Sequence, residues 1–213
     1  MFIPRHPVVE NQFCSYGASA VSTGVGGVVA YAGSVVYLDA TAANQEPIVY
    51  KMVHKTAPTY VPFGFAMQKV KTGYHQVHPT GFMMPGDLGS SDVIAQPSYD
   101  ANGDIEGTKE APLGVAHLGI WDTVHYTCEM TTSAIGAGDN MKPADPLFAA
   151  ADEAKVTNNA SDASVGTAAT DKANGAYCSD VQVGVVVKGA SVAKCQANFN
   201  NTTLYPIRIK LLV

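Results

Sequence analysis

Val181-Gln182-Val183-Gly184-Val185-Val186-Val187 and, further on, Tyr205-Pro206-Ile207-Arg208-Ile209-Lys210-Leu211-Leu212-Val213 decide how this chain folds. In the second segment Ile207, Ile209 and Leu211 alternate with Arg208 and Lys210. A period of two puts the apolar side chains on one face of a strand and the charged ones on the other. The first segment is β-branched and interrupted by one glycine. That pattern predicts a buried strand with a bulge or a close backbone approach at Gly184. Both belong to a longer stretch that opens at Met141 with a proline-punctuated turn, Lys142-Pro143-Ala144-Asp145-Pro146-Leu147-Phe148. A polar, low-complexity segment runs from Thr157 to Gly175 between them. The stretch holds no catalytic motif and reads as β-scaffold.

The composition extends that reading to the whole chain. At 213 residues it can bury one large core or two small ones. Charged residues make up 15%, against ~25% in ordinary soluble proteins. Gly, Ala, Ser, Thr and Val take their place, which suits compact β-structure with much surface covered by partners. Long helices are not expected. The net charge of −5 and the scatter of the 13 Lys and Arg argue against a nucleic-acid binder, which needs a basic stripe. The close pairs Lys51/Lys55, Lys69/Lys71 and Arg208/Lys210 read as solvated faces. No run approaches the ~20 apolar residues of a membrane span. The first residues lack the apolar core of a signal peptide, so a cytoplasmic origin is expected.

Residues 1–13 carry Phe2, Ile3, Pro4 and Pro7. The prolines hold the segment extended, so it is either an arm that docks on a neighbour or a frayed end. Residues 1–27 are read as this arm plus a glycine-rich turn, and 28–213 as a β-rich domain with two possible lobes, 28–130 and 131–213. Gly24-Val25-Gly26-Gly27 lacks the Gly-Lys-Ser/Thr of a phosphate loop and reads as a turn. Strands are predicted over Val28–Tyr31, Val35–Leu38, Ile48–Val53, Phe63–Val70, Leu113–Trp121 and Val124–Glu129. Residues 71–110 are irregular. Phe148–Lys155 alone has helical propensity. Gly33–Tyr37 and Ala144–Phe148, each followed by a strand centred on a glycine (Gly64, Gly184), form a faint internal echo.

Candidate chemistry is thin. The four cysteines, Cys14, Cys128, Cys178 and Cys195, form no Cys-x-x-Cys pair. Buried free thiols are expected, with a Cys178–Cys195 bridge as the alternative. His75-x-x-His78 is the tightest pair among six histidines, but no acidic or cysteine ligand stands at fixed spacing. Asp100-Ala101-Asn102-Gly103-Asp104-Ile105-Glu106 resembles half a calcium loop. Its glycine is misplaced for one and Asn-Gly favours a hairpin. There is no Gly-x-Ser-x-Gly elbow. Asn159, Asn200 and Asn201 head glycosylation-type triplets that mark polar loops. No metal and no cofactor are expected. Trp121, the only tryptophan, sits at a strand end as a core residue or a contact anchor.

Five short segments in order resemble the cement, or decoration, proteins of tailed-bacteriophage capsids. They are Leu113-Gly114-Val115-Ala116, Ala144-Asp145-Pro146-Leu147-Phe148, Lys155-Val156-Thr157, Val183-Gly184-Val185 and Ile207-Arg208-Ile209-Lys210-Leu211. They span roughly 113–213, with an echo over 28–70. In that family the turn is of the Gly-Asp-Pro-Leu-Tyr type, and here Ala144 stands in the place of the glycine. The resemblance implies a non-enzymatic, β-barrel-like virion protein on the outer face of a shell. Its partner would be the major capsid protein and its assembly a trimer. Within that reading Phe2, Ile3, Pro4 and Trp121 are the candidate partner-binding residues. A tail-tube or head-fibre subunit is the alternative in the same class. A metal-dependent β-barrel enzyme using His75, His78, His117 or His125 is the alternative from another.

Overall fold

The computed structural model describes residues 2–5, 11–17, 28–38, 47–52, 61–72, 92–95, 97–99, 105–108, 111–128, 140–150, 153–158 and 181–213. Among these residues the protein is mainly β, with seventeen strands and one helix. Five strands close into a barrel: β2 (Asn11–Tyr16), β4 (Val35–Leu38), β5 (Ile48–Lys51), β6 (Pro62–Ala66) and β11 (Ala111–Ala116), in the order β11-β2-β5-β4-β6. A seven-stranded sheet packs against it. Its strands are β1 (Phe2–Pro4), β12 (Ile120–Thr123), β13 (Tyr126–Thr127), β14 (Pro146–Ala149), β15 (Val156–Thr157), β16 (Gly184–Lys188) and β17 (Ile207–Leu211). They run in the order β1-β12-β17-β16-β14-β15-β13. A three-stranded sheet joins β3 (Val28–Ala30), β7 (Lys69–Thr72) and β8 (Asp92–Ala95). A separate hairpin pairs β9 (Pro97–Tyr99) with β10 (Ile105–Thr108).

Three barrel strands are buried on both faces. On β4, Val36 points into the barrel with Cys14, Val49, Leu113 and Val115, while Val35 points into the core shared with the seven-stranded sheet. On β6, Ala66 and Phe65 divide in the same way, and on β11 so do Val115 and Ala116. Such strands read as continuous apolar runs rather than alternating ones. The alternating strand, β17, has only one covered face: Ile207, Ile209 and Leu211 are buried, Arg208 is half-buried and Lys210 is exposed.

Two glycines allow close approaches, Gly184 between neighbouring strands of the sheet and Gly33 between barrel and sheet. At Gly184 a side chain would bring its Cβ within 2.9 Å of the Lys210 carbonyl oxygen, the close approach expected there. The strand's register shift falls not at Gly184 but between Val186 and Lys188. Gly33 has φ 95 in the turn before β4, where a Cβ would lie 3.0 Å from Thr123 Oγ1 and 3.3 Å from the Phe2 ring. The left-handed backbone and the crowding both exclude a side chain.

Several sequence expectations are corrected. Phe148–Lys155 is not helical: Phe148 and Ala149 pair with Thr157 and Val156, and Glu153 and Ala154 have φ 51 and 52. Ala149, Ala150 and Ala154 are fully buried, so packing overrides their propensity. The helix is α1 (Val192–Phe199), which turns Cys195 and Asn198 inward. Across position 130, β12 pairs with β17, and β1 joins the same sheet. Residues 1–27 are not only an arm and a turn, since β2 is a barrel strand. The run Leu113–Trp121 breaks into β11 and β12 at Gly119, φ 107. The expected hairpin near Asn102 is present, with Ile105 opposite Tyr99. Residues 100–104 themselves lie outside the described residues, as do the Gly24–Gly27 turn, His6, His54, His75, His78 and Asn159.

The cysteines also differ from expectation. Cys128 and Cys195 form a disulfide, with Cα atoms 6.2 Å apart. Neither is a free thiol, and Cys195 is not bridged to Cys178, which lies outside the described residues. The bond ties α1 to the end of β13. Beside it the Asn198 side-chain amide donates to the carbonyls of Val124 and Tyr126, each at 3.1 Å. Cys14 remains a buried thiol, and burial pushes its pKa up, which makes it unreactive. The bridge spans 67 positions, so in the chain-entropy account it stabilises the fold by about 4 kcal/mol. Replacing Cys128 and Cys195 together with alanine should lower stability by about that amount in denaturant melts. A reductant should destabilise the wild type and leave the double variant unchanged.

Candidate functional site

The four residues expected at a partner surface cluster around β12. Phe2 pairs with Thr123, Ile3 with Asp122 and Pro4 with Trp121, so the arm is extended but forms the edge strand of its own sheet. Phe2 and Trp121 are each 1% exposed and stack with ring centroids 4.4 Å apart. Phe65 of the barrel lies 5.8 Å beyond Phe2. The indole nitrogen of Trp121 donates to the Leu118 carbonyl at 3.0 Å. Phe2 and Trp121 are therefore buried in the core that joins sheet to barrel, the first of the two readings open for Trp121. Ile3 is half-buried on the outer side. A lone apolar arm gains more by covering an adjacent indole than by waiting for a neighbour, and ring stacking adds about 0.5–1.5 kcal/mol to the area it buries.

The outer side of β12 carries the opposite chemistry. Asp122, 6% exposed, is held between two arginines. Arg5 Nε donates to Oδ2 at 2.6 Å, while Arg208 donates through Nε to Oδ1 at 2.8 Å and through Nη2 to Oδ2 at 3.3 Å. Arg208 stands directly opposite Asp122 in the β12–β17 register. Its hydrogen bonds pull the Asp122 carboxyl below its ordinary value of 3.8; burial opposes that, and Arg5 adds to it. This feature, invisible while the arm was read as free, fastens three adjacent strands.

A second polar cluster joins the barrel to the 153–154 turn. Ser34 and His125 are buried, and Ser34 Oγ lies 3.0 Å from His125 Nε2. A buried Ser–His pair invites a nucleophile–base reading. The third partner decides against it. His125 Nε2 is also 3.0 Å from the Glu153 carbonyl oxygen, which can only accept, so Nε2 carries the proton. Ser34 Oγ donates to the same carbonyl at 3.1 Å and accepts from the Tyr31 backbone N–H at 3.1 Å. In that tautomer Nε2 donates and does not accept the serine proton. Lys51 closes the cluster with a 2.6 Å ion pair to the Glu153 carboxylate. His117 stacks edge-on against Phe63 at 4.6 Å. Among the described residues no group of three or more His, Cys, Asp or Glu could hold a metal ion, and no helix is long and apolar enough to cross a membrane.

No family model matches the chain, and no curated protein and no solved structure is found to resemble it.

Phe2→Ala should cost about 3–5 kcal/mol, because it leaves a cavity beside Trp121. Equilibrium melts followed by the single tryptophan's fluorescence should show the loss together with a red-shifted native spectrum. A variant as stable as wild type would put Phe2 outside the core.

Asp122 sets a pH dependence. Its folded pKa is depressed, so its contribution to stability is present above the unfolded value and is lost as pH falls through the folded one. Asp122→Asn should be less stable than wild type at pH 7, and the gap should narrow in acid. Melts from pH 7 down to about pH 2, compared between the two proteins, measure this; a gap independent of pH would show that the charge contributes nothing.

Proposed function

We propose that this chain is a structural virion protein: a cement or decoration protein on the outer surface of a tailed-phage head, bridging neighbouring capsid subunits. The partner is the major capsid protein and the assembly a homo-trimer. The observation that carries the reading is where the resembling segments lie. Four of the five, Ala144–Phe148, Lys155–Thr157, Val183–Val185 and Ile207–Leu211, fall on or run into β14, β15, β16 and β17 of one sheet, while Leu113–Ala116 lies on β11 of the barrel. β14 pairs with β15 and β16, and β16 with β17. The departure at Ala144 also fits. Its φ is 75, in a turn closed by the Asp145 N–H on the Lys142 carbonyl at 3.1 Å. Glycine, the residue usual at this place in the family's turn, adopts that backbone without strain. The polar clusters add support, since their hydrogen bonds and ion pairs fasten strands to one another.

The test is reconstitution. Purified protein is mixed with empty shells assembled from the major capsid protein alone, and binding is followed by co-sedimentation and electron microscopy. Saturable binding on the outer surface, with a higher shell disruption temperature, is the expected result. Incorporation into tails or fibres with bare shells would favour the other virion role. Stoichiometric histidine-bound metal with turnover would overturn the structural reading.

A further inference from the structure

We infer that the outer face of the seven-stranded sheet, around Arg5, Lys188, Arg208 and Lys210, docks on an acidic surface of the shell protein. The inference rests on the function proposed above and names the face and the chemistry of the contact. The first observation is a charge asymmetry. Residues 181–213 contain Lys188, Lys194, Arg208 and Lys210 and no Asp or Glu, whereas all 18 acidic residues and only nine of the 13 basic ones lie in 1–180. A chain of net charge −5 thus ends in a purely basic segment.

The second observation is where the sheet places that charge. Ile207, Ile209 and Leu211 point into the core, so Arg208 and Lys210 point out. In register Lys188 stands beside Arg208, and Arg208 stands beside Asp122, to which Arg5 also reaches. Asp122 lies at this face buried beneath its two arginines. It offsets one positive charge of four. Exposed apolar side chains sit among the cations: Val187 at the bulge is 42% exposed and Leu212, just past β17, 45%.

Charge complementarity selects the occupant. A second copy meeting this face with its own would set lysine against lysine, which repels, and a copy meeting it head-to-tail with an acidic face is the self-association outcome of the experiment below. Nucleic acid suits it poorly, because the other residues are strongly acidic and the face interleaves its cations with valine and leucine. An acidic protein surface with apolar patches satisfies both kinds of side chain, and opposite charge speeds its encounter.

The experiment compares wild type with Lys210→Glu, Lys188→Glu and Lys194→Glu. Lys194 is an exposed α1 residue over the Tyr205 ring, so its reversal makes the same change in net charge elsewhere. Each protein is titrated onto empty shells of the major capsid protein at low and high salt, with melting curves as the check on folding. Should a glutamate variant fail to fold, the glutamine variant replaces it. The expected result is about a tenfold loss of affinity for Lys210→Glu and Lys188→Glu, little change for Lys194→Glu, and wild-type binding that weakens as salt rises. Wild-type binding that all three variants and salt leave unchanged overturns this inference and leaves the proposed function standing. Shells that do not take up wild type overturn both. Binding to duplex DNA that is tighter than to shells and lost in Lys210→Glu, or self-association lost in that variant, overturns it in favour of a different occupant.

Discussion

Strand β12 sits between the arm and the C-terminal strand, and its two faces make opposite demands. Inward, Trp121 needs a large apolar cover, which Phe2 supplies from the edge strand β1. Outward, Asp122 is too buried to stand alone, and Arg5 and Arg208 reach it from the strands on either side. An unpaired carboxylate there would cost several kcal/mol. A bare indole face beside it would forfeit much of the burial that holds sheet to barrel. The arm answers both demands at once: Phe2 covers the ring and Arg5, just beyond Pro4, covers the charge. The arm is thereby fixed to its own sheet.

The barrel and the sheet are joined by chemistry of two kinds. Phe65, Val35 and Ala116 turn their side chains out of the barrel into the core that Leu147, Val186 and Ile209 share. At one side of this apolar contact, Ser34, His125 and the Glu153 carbonyl form a buried hydrogen-bonded triangle. Apolar contact supplies most of the free energy and tolerates sliding; the triangle does not, because each buried polar atom left unpaired costs about 1–3 kcal/mol. A backbone bond reinforces it, with the Val35 N–H on the Ala154 carbonyl at 2.9 Å. A serine and a histidine in contact are here a joint between layers. The positive φ of Glu153 and Ala154 is the local strain that brings that carbonyl into place.

The seven-stranded sheet is also where the proposed role and the charge asymmetry meet. Its inner face belongs to the core, and the disulfide with α1 fastens its far end near β13. Its outer face is the part of the described surface where cations gather without matching acids. A rigid sheet presents such charges at fixed spacing, which favours recognition of one rigid surface over adaptation to many.

By itself the sequence determined the class of structure and the orientation of its last strand. Alternation from Ile207 to Leu211 fixes which side chains face inward, because a strand has a period of two whatever it packs against. The glycine within Val183–Val187 marked the close approach at Gly184, and Asn-Gly marked the β9–β10 hairpin, both because local sterics decide them. Tertiary structure alone decided the rest. Phe148–Lys155 has helical composition, but the pairing with β15 goes with burial of Ala149, Ala150 and Ala154. Helix α1 was legible only in Ser191 ahead of it and Asn200-Asn201 behind, signals weaker than the strands around them. The pairing of Cys128 with Cys195 and the embrace of Asp122 by Arg5 and Arg208 join positions far apart in the chain. Such pairs leave no local signature, since their energy depends on distances that exist only once the sheet has formed.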